Sequence, residues 1–158
     1  MSLRIGDKAP DFSLYSSDKE LIHLHDYMGK NVVLLFFPLA FTSTCTKELC
    51  STRDDVAIYN DLDTEVLGIS IDSPQTLKRY KAELELNFKL LSDFNKEAIR
   101  AYDAIYEEFS LGMKGVGKRA AFVIDAGGFI RYMEVLEAAG NLPDFTAVQD
   151  TIRQLQLA

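Results

Sequence analysis

The stretch Val32-Val-Leu-Leu-Phe-Phe-Pro-Leu-Ala-Phe-Thr-Ser-Thr-Cys-Thr-Lys-Glu-Leu-Cys50 changes its periodicity once, and that change decides the fold. From Val32 to Phe37 the chain is apolar without interruption, the pattern of a central strand covered on both faces. Pro38, which has no N–H to give a ladder, ends the run. From about Ser43 to Asn60 the spacing becomes helical. Cys45, Leu49, Thr52, Val56 and Tyr59 follow at steps of four, three, four and three, and so share one face.

Working outward, Glu65–Ile71 reads as a second strand, and Asp72-Ser-Pro74 opens a helix over Gln75–Leu84. Strand Lys89–Leu91 and a short helix over about Lys96–Tyr102 follow. Upstream, Asp11–Tyr15 and Leu21–His25 alternate and predict an N-terminal hairpin. Downstream, Ser110–Lys118 holds three glycines and reads as a loop. Strands Ala120–Ile124 and Phe129–Val135 flank the turn Asp125-Ala-Gly-Gly128, and a last helix starts near Leu142-Pro143 and runs to Leu155. Two strand–helix–strand units, a hairpin and a closing helix predict a single α/β domain over residues 1–158. A flavodoxin-like sheet would be parallel throughout. The terminal hairpin favours a thioredoxin-like fold, with a central mixed sheet and flanking helices.

The 158 residues carry a net charge of −7 and no long basic run, which argues against a nucleic-acid or anionic-membrane surface. No apolar stretch is long enough to span a bilayer. The opening Met1-Ser-Leu-Arg4 has no hydrophobic signal core, so a cytoplasmic location is expected. Two cysteines do not make a structural disulfide framework. Together with two histidines they give a zinc site little support.

Chemistry concentrates where the first central strand hands over to its helix, the end of an open α/β sheet at which ligands bind. Thr42, Ser43 and Thr44 are all suitable N-caps, which places Cys45 in the first helical turn. Free backbone N–H groups and the positive end of the helix dipole stabilise negative charge there and favour a thiolate, the nucleophilic form of cysteine. The Thr42 hydroxyl is placed to donate to that thiolate or to a bound peroxide oxygen. Fixed donors aimed at a departing oxygen lower the barrier to displacement at an O–O bond.

Pro38-x-x-x-Thr42-x-x-Cys45 resembles the active-site motif of the peroxiredoxins. The resemblance extends over Gly6-Asp-Lys-Ala-Pro-Asp-Phe12, Leu67-Gly-Ile-Ser-Ile-Asp72, Leu91-Ser-Asp93 and Ala121-Phe-Val-Ile-Asp125, most of the chain. It implies a thiol-dependent peroxidase with Cys45 as the peroxidatic cysteine, Thr42 as its hydrogen-bonding partner and Pro38 shielding the thiol. Arg119 matches the arginine that peroxiredoxins carry before the late strand, and its fixed charge and several donors suit a thiolate and a peroxide. No metal or organic cofactor is implied, because the sulfur does the chemistry. The expected partners are a hydroperoxide, thioredoxin or another dithiol reductant, and a second copy of the chain in a homodimer.

Two subgroups meet in this sequence. Cys45-Thr-Lys-Glu-Leu-Cys50 resembles the PrxQ (bacterioferritin comigratory protein) group, in which a second cysteine five residues on is the resolving thiol. Pro38-Leu-Ala-Phe-Thr42, Leu91-Ser-Asp-Phe94 and Leu142-Pro-Asp-Phe-Thr146 look more like the AhpE group, which often works with one catalytic cysteine. Five residues along a helix rise about 7.5 Å and turn about 140° past a full turn, which separates the Cα atoms by roughly 8.7 Å. A disulfide tolerates at most about 7 Å. Resolution by Cys50 therefore requires the first turns of the helix to unwind. The alternative is that Cys50 is a small core residue and an outside thiol resolves Cys45.

Glu48 has two readings: a capping box at the start of its helix, or, by resemblance, a brace for the site. His23 and His25 read as solvated positions on an exposed strand, and Gly112, Gly115 and Gly117 as loop glycines rather than a phosphate cradle. Tyr102, Tyr106 and Phe109 read as core or dimer contacts. A thioredoxin-type oxidoreductase would want Cys-x-x-Cys, which this chain lacks. A non-enzymatic redox sensor built on Cys45 is the rival from another class.

Overall fold

The computed structural model describes residues 3–138 and 140–157. Met1 and Ser2 of the opening stretch, with Ala139 and Ala158, fall within the expected 1–158 domain but lie outside the described residues. In chain order the elements are β1 (Ser13–Ser16), β2 (Leu21–His23), β3 (Asn31–Phe36), α1 (Ser43–Asp54), α2 (Val56–Asp61), β4 (Thr64–Ser70) and α3 (Pro74–Leu84). Then come β5 (Lys89–Ser92), α4 (Glu97–Ala101), β6 (Ile105–Tyr106), β7 (Val116–Gly117), β8 (Ala120–Ile124), β9 (Ile130–Val135) and α5 (Phe145–Leu157).

Seven strands form one sheet in the order β2-β1-β5-β4-β3-β8-β9. Strands β3, β4 and β5 run parallel, while β8 is antiparallel to β3 and to β9, and β1 is antiparallel to β5 and β2. The sheet is mixed and thioredoxin-like, as the terminal hairpin leads one to expect.

The unbroken apolar run of β3 is explained by its place. Val32, Leu34 and Phe36 join a core with Leu67, Ile69, Tyr102 and Phe122 on one face. Val33, Leu35 and Phe37 join Leu49, Tyr59, Leu77, Tyr80 and Val148 on the other, under α1, α2, α3 and α5. Alternate side chains of a strand point to opposite faces, so a strand packed on both must be apolar at every position. Each fully buried side chain of this size contributes about 1.5–3 kcal/mol. Cys45 belongs to the second core.

Four details differ from expectation. The helix expected over Ser43–Asn60 breaks at Asp55, whose N–H is shared between the carbonyls of Ser51 and Thr52, a tightening of the last turn that ends α1. His25 is not on a strand: β2 stops at His23, and Leu24–Tyr27 form a 3-10 turn in which His25 pairs with Asp11 at 2.7 Å. The Ser110–Lys118 loop contains a 3-10 turn and the short strand β7, paired with β6, pieces too brief to leave an alternating pattern. The last helix begins at Phe145 because Asp144 accepts the Ala147 N–H at 3.0 Å and caps it.

Gly68 tests how tightly this core is packed. A Cβ there would lie 2.7 Å from Leu90 Cδ2, with Phe88 and Phe37 at 3.5 and 3.6 Å. Gly68→Ala should destabilise the reduced protein by about 1–3 kcal/mol, the range for overpacking. Denaturant unfolding checks this, and an unchanged midpoint would show that the sheet has slack at this position.

Candidate active site

The parallel pairing of β3 with β4 continues one residue past the strand, where the Phe37 N–H donates to the Ile69 carbonyl at 3.0 Å. The chain then leaves the sheet through residues 38–42. Pro38 is buried, and the Ala40 N–H donates to Asp72 Oδ2 at 2.8 Å. Phe41 takes a left-handed backbone, φ 69°. That conformation costs a residue with a Cβ about 1–2 kcal/mol. Its ring lies 4.8 Å from that of Tyr80.

Thr42 is the N-cap residue of α1, with φ −91° and ψ 152°. Its hydroxyl does not cap the helix. It donates instead to the Leu39 carbonyl at 3.0 Å, which tightens the loop. At the fourth residue of the helix, Thr46 Oγ1 meets the Tyr80 hydroxyl at 3.0 Å and ties the first turn to α3. Burial pushes the Tyr80 phenol up to about 12, against the Thr46 hydrogen bond, so it stays neutral.

Cys45 has no exposed surface. The Arg119 guanidinium reaches it from the neighbouring strand. The β3–β8 register pairs Phe36 with Ala120, so Arg119, the residue before β8, arrives at the end of β3 against the start of α1. There its Nη1 donates to Cys45 Sγ at 3.2 Å and to Glu48 Oε1 at 2.7 Å. Cys45 and Glu48 are three residues apart, neighbours on one helix face, so a single guanidinium touches both. Arg119 is only 2% exposed. Burial works against its charge, but Glu48 and Cys45 outweigh it and keep it protonated. Its backbone is also held, because the Leu136 N–H donates to the Arg119 carbonyl while the Tyr106 hydroxyl donates to that of Leu136.

Glu48 is fully buried, and its Oε2 has no hydrogen-bond partner among the described residues. Burial pushes its carboxyl up to about 7, with the Arg119 charge and hydrogen bond opposing. The capping-box reading of Glu48 is therefore wrong. A capping box needs its carboxylate three residues past the N-cap, and that position holds Cys45. Cys50 lies on the same intact helix and is half-buried.

A cleft of about 250 Å³ opens at Thr42, Ser43, Thr44, Phe109, Arg119 and Gly140. A larger one, about 390 Å³, lies between β1, Pro74 and Phe94. Thr42 and Arg119 line the smaller cleft, and Arg119 in turn joins it to the buried Cys45 and Glu48 behind it. Sequence reading missed Asp72 and Tyr80, which hold the loop and the first turn, and Phe109, which walls the cleft. Asp72 looks like a helix opener in the sequence, but Ser73 takes that task by accepting the Thr76 N–H at 3.1 Å.

A thioredoxin-like sheet carrying a buried thiol at a helix start, with arginine donating to its sulfur, defines a class of thiol-dependent peroxidases. The AhpC/TSA family matches residues 5–133. The alkyl hydroperoxide reductase E of Mycobacterium tuberculosis is 38% identical over 156 residues, covering 97% of this chain and 98% of that protein. Peroxiredoxin Bcp of Escherichia coli is 37% identical over 132 residues, 83% of this chain and 85% of that one. Among solved structures, peroxidoxin BcpB of M. tuberculosis superimposes with a TM-score of 0.85 at 25% identity, covering 96% of this chain and 97% of the other. The chain belongs to the AhpC/TSA family and is a peroxiredoxin, a thiol-dependent peroxidase.

The raised Glu48 carboxyl has a consequence for stability. Between the ordinary value of 4.5 and about 7 the folded chain keeps a proton on Glu48 that the unfolded chain has released. Stability from this group is therefore lost as pH rises through that window. Glu48→Gln should gain on the wild type in unfolding free energy as pH rises from about 4.5 to about 7, the window between the two values. A difference between the two chains that stays flat across this window would show that Glu48 titrates normally.

Proposed function

We propose that Cys45 is the peroxidatic cysteine and that Cys50 resolves it. The observation that carries the reading is the Arg119 Nη1 donor 3.2 Å from Cys45 Sγ at the N-terminal turn of α1. The Cys45 thiolate attacks the terminal oxygen of a hydroperoxide. The S–O bond forms as the O–O bond breaks, sulfur is oxidised to the sulfenic acid, and the departing alkoxide or hydroxide takes a proton from solvent.

Arg119 orients the sulfur and the peroxide, and Glu48 holds Arg119 through the 2.7 Å ion pair. Thr42 supplies a second donor once its hydroxyl turns from the Leu39 carbonyl toward the peroxide. Pro38 packs the loop and keeps the thiol out of bulk water. These fixed donors act on the charge that develops on oxygen.

The Cys50 thiolate then displaces hydroxide from the Cys45 sulfur, and protonation gives water and an intramolecular disulfide. Both cysteines lie on one intact helix, and the separation of roughly 8.7 Å across five residues exceeds the disulfide limit of about 7 Å. The helix must unwind first. Thioredoxin or another dithiol resets the pair by exchange and is itself oxidised. A homodimer built on the exposed side chains of Leu111 and Met113 belongs to this reading. Sedimentation of the reduced chain as a monomer would count against that part.

Peroxide consumption with a thioredoxin system, compared among the wild type, Cys45→Ser and Cys50→Ser, is the direct test. Cys45→Ser should abolish turnover, and Cys50→Ser should stall as a sulfenic acid visible by mass spectrometry. Full turnover by Cys50→Ser would establish a one-cysteine enzyme with an external resolving thiol.

A further inference from the structure

We infer that Asp72 is a positioning residue for this site. Its carboxylate, acting through the Ala40 N–H, latches the loop over residues 38–42 and so keeps the first turn of α1 wound. Its release is the step that lets Cys50 approach Cys45. The second half of this inference rests on the resolving role proposed for Cys50; the first half does not.

Asp72 is anchored on strands that have no part in the unwinding. Ser70 Oγ donates to Asp72 Oδ2 at 2.7 Å and accepts the Asp72 N–H at 3.2 Å. The Asp72 carbonyl accepts from Ser92 Oγ at 2.6 Å, and the Asp93 N–H donates to the Ser70 carbonyl at 2.6 Å. Ser70 and Ser92 are both buried at the ends of the parallel strands β4 and β5. The same Oδ2 then reaches across to Ala40 at 2.8 Å. A rigid sheet end thus grips a loop whose neighbouring residue 38 is proline and donates nothing from its backbone.

The loop beside that grip is under strain. Phe41, next to Ala40, is left-handed and 52% exposed, and it is followed by the N-cap residue Thr42. When Ala40 is released, Phe41 relaxes to an ordinary backbone conformation, and the N-cap loses the geometry from which α1 starts. The Thr46–Tyr80 hydrogen bond and the Arg119 donor to Cys45 are then the side-chain ties left on the first turn. Latched, the loop holds Thr42 and Cys45 against Arg119 for attack on peroxide. Unlatched, it allows the unwinding that the disulfide needs.

The test uses the full reduced chain as wild type, Asp72→Asn and Asp72→Ala, each with and without Cys50→Ser. Three quantities are measured: Cys45 oxidation by hydrogen peroxide in the Cys50→Ser chains by rapid quench and alkylation; amide exchange over residues 40–49; and disulfide closure when Cys50 is present. Asp72→Ala should slow oxidation about tenfold, speed exchange of this segment by a similar factor and speed closure, the scale of one lost charged hydrogen bond. Asp72→Asn keeps an acceptor oxygen and should stay within about twofold of the wild type. Should Asp72→Ala not fold, Asp72→Glu, which displaces the carboxylate by one methylene, takes its place.

Unchanged oxidation and exchange in the alanine chain would overturn the inference. So would equal losses in the asparagine and alanine chains, which would make charge rather than the hydrogen bond responsible. If no chain closes a disulfide, the Cys50 reading fails, while oxidation and exchange still decide the role of Asp72.

Discussion

One guanidinium group holds the site together. Arg119 is buried and donates from a single nitrogen to both the Cys45 sulfur and a Glu48 oxygen. A charge taken out of water this fully is tolerated only when partners surround it, and removing one partner leaves the other charge uncompensated. The surrounding structure is accordingly built to keep the partners in place. The β3–β8 register sets the height of Arg119, the i, i+3 spacing on α1 puts Cys45 and Glu48 on one face, and Tyr106 with Leu136 fixes the Arg119 backbone.

Together with the resolving role proposed for Cys50, this arrangement would set two conflicting demands on α1. Holding the sulfur against Arg119 requires the helix to be intact from its first turn. Bringing Cys50 to Cys45 requires that same turn to open. The first turn is secured by Thr46 on Tyr80 and Arg119 on Cys45, and the loop before it by the Thr42 hydroxyl on Leu39 and Asp72 on Ala40. Next to them sits the strained backbone of Phe41. Farther along the helix, Arg53 Nη1 donates to the Leu84 carbonyl at 2.6 Å.

Burial of Glu48 adds a second tension. Its Oε1 is well paired, its Oε2 has no partner among the described residues, and the carboxyl is pushed up to about 7. An unsatisfied buried oxygen costs about 1–3 kcal/mol.

Much of this was legible in the sequence because it depends on local periodicity. The uninterrupted Val32–Phe37 run specified a strand covered on two faces, and the steps from Cys45 to Tyr59 specified which side of the helix is buried. Of the motif Pro38-x-x-x-Thr42-x-x-Cys45, Cys45 receives the Arg119 donor at 3.2 Å, while Thr42 lines the adjoining cleft with Arg119. Tertiary structure alone decided the contacts between residues far apart in the chain. Asp72 read as a helix opener, but the ends of β4 and β5 turn its carboxylate toward Ala40, 32 residues earlier. Glu48 read equally well as a cap or a brace, and only the fold brings Arg119, 71 residues on and just before β8, to pair with it at 2.7 Å. Periodicity reports which face of an element is buried, whereas sheet order and register decide which side chain waits on the other side.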